Sequence, residues 1–146
     1  MRLTMRTNLA MRALMFCTVN DGRTVRKSEI AAACNASENH LGLVINHLGQ
    51  HGFIRTLRGR AGGIRLARKP EAISVGDVIR VFESCLPFAE CFDGAENECP
   101  LKGCCKLRGV LGDALEAFYG TLDPVSLADL TDDNQALYGI LSLEPA

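Results

Sequence analysis

The chain has 146 residues, 47% hydrophobic and 23% charged, with a formal net charge of −1, seven cysteines and three histidines. That is enough chain for one core with an appended helical arm, and short for a two-domain enzyme. No apolar run approaches the roughly 20 residues that span a bilayer. The near-neutral total hides two opposed halves: residues 1–70 hold twelve Lys/Arg against three Asp/Glu, and residues 71–146 hold four against fourteen. A formal +9 suits a polyanion and a formal −10 does not, so a nucleic-acid partner is expected on the first half. Charges within Met1-Arg2-Leu3-Thr4-Met5-Arg6 argue against a secretory leader and for a cytoplasmic protein with no membrane association.

In chain order, Thr7 is the expected cap of a first helix over 8–19, with Leu9, Ala13, Phe16 and Cys17 on one side and Asn20-Asp21-Gly22 as its stop. A second helix fits 27–34. The turn Asn35-Ala36-Ser37 follows, and Ser37 is a good cap for a third helix. There Leu41, Val44, Ile45 and Leu48 fall at i, i+3, i+4 and i+7, leaving Asn39, His40, Asn46 and His47 on or near the polar side. The period then changes to two: 53–58 and 63–66 read as short strands around Gly59-Arg60-Ala61-Gly62. Helix, turn, amphipathic helix and basic hairpin in that order make a winged helix-turn-helix over residues 1–70.

After Pro70, a helix over 75–82 has Val75, Val78, Ile79 and Phe82 on one side, and the polar segment 84–104 follows. A long helix from about 104 to 120 repeats Leu107, Val110, Leu111, Ala114, Leu115 and Phe118 at threes and fours. Its stripe is either a dimer seam, the sharper reading, or a face packed back on residues 1–20. Pro124 and the acidic run Asp129 to Asp133 read as a tail without special function. The fold class is therefore mainly α with a small β-hairpin wing, with residues 71–146 carrying a cysteine loop and dimerisation helices.

The third helix is the candidate recognition helix, since a helix of this size fits the major groove. Asn39 can pair with adenine, His40 can donate or accept, and Ser37 can reach a phosphate if capping leaves it free. Arg55, Arg58, Arg60 and Arg65 on the hairpin suit a narrow minor groove and its phosphates. Twofold symmetry then implies a homodimer on double-stranded DNA with a near-palindromic operator.

Cytoplasmic disulfides are rare, so the cysteines need another reason. Cys17 and Cys34 sit in apolar stretches and read as small buried hydrophobes, while Cys85 lies at an element end. Cys91, Cys99, Cys104 and Cys105 are crowded among polar residues and offer soft thiolates to an iron–sulfur cluster or zinc. No C-x₂-C pair is present, which disfavours zinc. A redox disulfide from Cys99 to Cys104 or Cys105 is a further alternative. A small iron–sulfur electron carrier would have no use for the wing, and no Ser/His/Asp order or metal-hydrolase spacing suggests an enzyme.

Met1-Arg2-Leu3-Thr4, Thr7-Asn8-Leu9-Ala10, Arg58-Gly59-Arg60-Ala61-Gly62-Gly63, Ala89-Glu90-Cys91-Phe92, Cys99-Pro100-Leu101 and Ser126-Leu127-Ala128-Asp129-Leu130 resemble the bacterial winged-helix repressors whose ligand is an iron–sulfur cluster. That family contains the iron–sulfur assembly regulator, the nitric-oxide-sensing repressor and the rhizobial iron regulator. The resemblance implies a cluster, [4Fe-4S], on Cys91, Cys99 and Cys105, with Cys104 as the alternate for Cys105. Seven residues separate Cys91 from Cys99, and this gap with its flanks is most similar to the rhizobial iron regulator. Asn8 stands where nitric-oxide-sensing relatives place an Asp that ligates the partner's cluster, and is a weak neutral candidate for that role. The resemblance therefore implies a repressor responding to iron availability, with nitric-oxide or redox sensing as the alternative.

Overall fold

The computed structural model describes residues 2–84, 87–94 and 97–143. Helix α1 (Met5–Val19) is capped by Thr4, whose side chain accepts the N–H of Thr7. The expected cap, Thr7, is instead wholly buried and donates its hydroxyl to Glu83, so the helix starts three residues before the expected residue 8. Leu9, Ala10, Ala13, Leu14, Phe16 and Cys17 are all buried. A helix apolar on so many sides must be covered on those sides, and α1 becomes the axis on which most of the other helices pack.

Helix α2 (Lys27–Ala33) and helix α3 (Glu38–Gln50) follow, the latter capped by Ser37, which accepts the N–H of His40 at 3.2 Å. Leu41, Val44, Ile45 and Leu48 turn inward as the periodicity requires. Strands β1 (Ile54–Leu57) and β2 (Gly63–Leu66) pair antiparallel, Arg55 opposite Arg65 and Thr56 opposite Ile64. Val25 adds a one-residue bridge to Ile64, with hydrogen bonds of 3.0 and 2.7 Å, and this fastens the wing to the turn before α2. Gly63 sits at φ +152°, where a Cβ would stand 2.5 Å from the Val25 carbonyl oxygen, so the close approach needs glycine.

A 3-10 turn (Pro70–Ala72) leads to helix α4 (Val75–Glu83), capped by Ser74. The cysteine segment contains a second 3-10 turn, Glu90–Phe92, and delivers the chain to helix α5 (Lys106–Leu122). No residue of α5 is buried. Its main neighbour is α4, not the first helix, and its exposed side includes Leu107 and Val110, 59% and 62% exposed. Arg80 of α4 holds Asp123 at the end of α5, Nη2 to Oδ2 at 2.7 Å, and stacks 4.2 Å over the Tyr119 ring.

The expectation of an idle tail after Pro124 is corrected. Helix α6 (Leu127–Thr131) buries Leu127, Ala128 and Thr131 against α1, and helix α7 (Gln135–Leu141) buries Leu141. Asp129, Asp132 and Asp133 lie on the exposed side and mask the inward residues in a linear reading. One apolar cluster thus runs from Leu9 through the first three helices and the wing to Leu127 and Leu141.

Candidate nucleic-acid interface and cysteine segment

Ser37, Asn39 and His40 lie at the start of α3. Ser37 commits its hydroxyl to the cap, Asn39 is exposed, and His40 is half-buried beside a cavity of about 180 Å³ that Asn8, Arg12 and Asn35 also line. Asn46 is exposed as well. His47 serves packing: its Nε2 lies 3.4 Å from the Val81 carbonyl, and its ring meets the Phe82 ring edge-on at 4.8 Å.

The wing's arginines divide into two kinds. Arg55, Arg58 and Arg60 are exposed and enter no ion pair among the described residues. Arg65 is half-buried, donating from Nε to Thr24 Oγ1 at 2.8 Å and from Nη2 to the Gly22 carbonyl at 3.0 Å. It ties the wing to the loop after α1. Arg68, outside the expected set, stacks 4.9 Å from the Phe53 ring centroid and donates to the Gly52 carbonyl.

Cys17 and Cys34 are buried, as expected, and free. Burial, the neighbouring Cys34 and Asp21 push the Cys17 thiol up to about 12; burial also raises Cys34, against the lowering influence of Arg12. Cys85 lies outside the described residues. Cys91, Cys99 and Cys105 are half-buried, Cys104 is exposed, and all four thiols are free. Cys91 sits in the second 3-10 turn next to Phe92, whose ring packs on Phe88 at 5.9 Å and lies against α5 beside Gly112. The stretch 99–105 winds into tight turns, Lys102 N–H to the Cys99 carbonyl and Cys105 N–H to the Leu101 carbonyl, and Cys105 becomes the N-cap residue of α5.

A helix-turn-helix with a hairpin wing and a cysteine segment leading into a long helix is now in place, and comparison with known proteins decides the family. The family model for Rrf2, an iron-dependent transcriptional regulator, matches residues 3–133. The chain belongs to the Rrf2 family. It is 44% identical to the HTH-type transcriptional regulator NsrR of Geobacillus kaustophilus over 97% of both chains. It is 40% identical to protein aau3 of Rhizobium meliloti, over 99% of this chain and 94% of that one. Among solved structures, IscR of T. potens superposes with a TM-score of 0.71 at 27% identity, covering 91% of this chain and 88% of that one. CymR of B. subtilis gives 0.67, also at 27%, over 90% and 96%. Of these relatives, NsrR and CymR are regulators, not enzymes.

As an Rrf2 chain it carries the donor chemistry that an iron–sulfur cluster takes, several free thiols on one short segment. Among the described residues no three Cys, His, Asp or Glu side chains converge as a ready metal site, so the thiols of the segment are not gathered. Asn8 shares its cavity with the start of α3 and, among the described residues, with no cysteine.

One structural residue carries no signal in the sequence. Glu83, the last residue of α4, accepts from the Thr4 N–H at 2.8 Å and from the Thr7 hydroxyl. Burial acts to raise its pKa, but the hydrogen bonds from Thr7 and Thr4 outweigh it and hold the carboxyl below its ordinary value of 4.5. Its partners are 79 and 76 positions away, a distance at which no local pattern signals a pairing.

Proposed function

We propose that this regulator is a repressor that binds a near-palindromic duplex as a homodimer, with an iron–sulfur cluster, [4Fe-4S], held on Cys91, Cys99 and Cys105, and that nitric oxide is the signal that releases it. The observation that carries the reading is where the cysteine segment is attached. Glu83 fastens its upstream end to the first turn of α1, and Cys105 begins α5, whose Leu107 and Val110 face outward. A bound cluster supplies iron open to attack by nitric oxide, because three protein thiolates leave one iron with no protein thiolate.

The remaining steps belong to the chain. Cys91, Cys99 and Cys105 draw the turns of the segment together, and the ordered segment bears on α4 and α5. Paired α5 helices fix the separation of two copies of α3, which is what a twofold operator reads. Residues 1–70 grip DNA through α3 and through Arg55, Arg58 and Arg60, while residues 71–146 set the spacing. Release follows when the segment loosens and the two α3 helices lose their register.

Nitric oxide stands first because relatives at 38 to 44% identity carry the name NsrR. Iron availability is the second reading, favoured by the seven-residue gap between Cys91 and Cys99 and by the neutral Asn8. The deciding experiment follows duplex occupancy by anaerobic, cluster-loaded protein under a low dose of nitric oxide and, separately, under an iron chelator. Release by nitric oxide, with both the cluster and binding kept under chelation, supports the first reading. Release by chelation with binding kept under the matched nitric oxide dose supports the second, and binding unchanged by complete cluster removal overturns both.

A further inference from the structure

The outward face of α3 carries an uncharged stripe. Asn39, Leu43, Asn46 and Gln50 recur at i, i+4, i+7 and i+11, so they share one side of the helix, opposite the buried Leu41, Val44, Ile45 and Leu48. All four are exposed, and Leu43 stands 61% exposed among three carboxamides. A lone exposed leucine on an ordinary surface needs no explanation. This one is flanked by cations on both sides: the Lys27 Nζ lies 4.0 Å from where a Gly42 Cβ would stand, and Arg6 lines a shallow groove with Leu43, Asn46, His47 and Gln50. Lys27 also lies 3.8 Å from Glu38, so the acid in the first turn of α3 is turned to that flank and away from the stripe.

We propose that Leu43 reads the C5-methyl group of a thymine in the major groove, and that this stripe confines the base pairs under α3 to A·T. The inference rests on the DNA-binding reading above and names the class of half-site it takes. A carboxamide pairs with the N6 and N7 edge of adenine, and an apolar side chain matches the thymine methyl. Guanine is read by the forked or terminal cation of Arg or Lys and cytosine by a carboxylate, and the stripe holds neither. An uncharged floor between two cations is complementary to base edges bordered by two rows of phosphates. Gly42, whose added Cβ would meet nothing nearer than 4.0 Å, is not required by packing, and its bare flank lets the helix approach the groove wall beside Leu43.

The test uses the full-length, cluster-loaded protein to enrich duplexes from a random pool under anaerobic conditions. Each thymine of the enriched half-site is then replaced by deoxyuridine, which keeps the base pair and removes one methyl group. The expected result is A·T pairs under α3 and one thymine whose replacement weakens binding roughly four-fold, the worth of burying one methyl-sized group. In Leu43→Ala, at a position 61% exposed where truncation shifts thermal unfolding little, deoxyuridine at that position has no further effect. Equal penalties in both proteins, or none in the wild type, overturn the assignment of Leu43 while leaving DNA binding intact. G·C pairs under α3 overturn the A·T limit. Failure to enrich any duplex overturns the DNA-binding reading and this inference with it.

Discussion

Glu83 holds Thr7 through the same carboxylate oxygen that takes the backbone N–H of Thr4, 2.8 Å away. The last residue of α4 thereby anchors the first turn of α1, although the two are far apart in sequence. Removing the carboxylate leaves the buried Thr7 hydroxyl with Thr4 Oγ1, at 2.9 Å, as its remaining partner. Glu83→Ala is expected to cost about 1 kcal/mol, read as a lower urea midpoint with an unchanged slope.

The same pairing makes a pH prediction. Glu83 titrates below its ordinary value of 4.5 in the folded protein because its hydrogen bonds outweigh the effect of burial. Its charge therefore stabilises the fold fully above 4.5, and the contribution is lost as pH falls through the folded value. Glu83→Gln keeps the shape and removes the charge, so the stability gap between it and wild type should be constant near neutrality and shrink below 4.5. A gap that stays level through that window would refute the role of the carboxylate.

Cysteine replacements should separate by environment. Cys91→Ala, Cys99→Ala and Cys105→Ala are each expected to lose bound iron and sulfide after anaerobic reconstitution. Cys17→Ala and Cys34→Ala should keep both, since these thiols are buried and hard to ionise, Cys17 at about 12. Cys104, exposed beside Cys105, should retain the cluster when replaced. Full iron and sulfide in all three ligand variants would remove the proposed site.

The parts of this molecule that are legible in the sequence are those whose signals are local. Ser37 caps α3, Leu41 and its periodic partners face inward, and the glycine-tipped hairpin forms, because each depends on residues a few positions apart. The first cap is ambiguous in a linear reading because Thr4 and Thr7 are equally good cap residues, and only the distant Glu83 decides between them. Helix α6 is hidden because Leu127, Ala128 and Thr131 are its only inward residues in a surround of aspartates, and their partner is α1; α7 is hidden because it buries a single residue, Leu141. Arg65 reads like its neighbours on the wing, yet the loop at Gly22 and Thr24 claims it.

That last helical segment should contribute strongly to stability. The Asn20 side chain is buried and donates to the Phe16 and Leu141 carbonyls while accepting from the Leu143 N–H, each at 2.9 Å. Asn20→Ala takes this partner from the Leu141 carbonyl and the Leu143 N–H, while the Phe16 carbonyl keeps the backbone N–H of residue 20 at 3.1 Å, at a cost of about 1–3 kcal/mol. Asn20→Asp should cost more, because a carboxylate then faces two carbonyl oxygens. Denaturation midpoints ranking wild type, Asn20→Ala and Asn20→Asp in any other order would contradict this account.

The wing arginines should behave differently from one another. Arg58→Ala and Arg60→Ala are expected to leave thermal stability unchanged and to flatten the slope of log affinity against log salt by about one unit for each phosphate no longer neutralised. Arg65→Ala should lower stability by about 1 kcal/mol, because its bonds to Thr24 and Gly22 are removed, with a smaller change in salt slope. Thermal melts and salt titrations on a single duplex give both readouts. A large stability loss in Arg58→Ala, or none in Arg65→Ala, would reverse the assignment.

The exposed stripe on α5 gives the final prediction. Leu107 and Val110 stand three positions apart on the same side of the helix, 59% and 62% exposed, while α5 touches its own chain chiefly through α4. Burying such a side chain in a second copy of the helix is worth about 1.5–3 kcal/mol, and replacing it with a charge adds the cost of desolvating that charge at the seam. Val110→Glu should therefore shift the protein from dimer toward monomer in sedimentation experiments, with the fold of each chain kept because the position is exposed. Binding to a two-half-site duplex should weaken sharply, while binding to an isolated half-site, already weak, should change little. A Val110→Glu protein that remains fully dimeric would place the subunit interface elsewhere on the molecule.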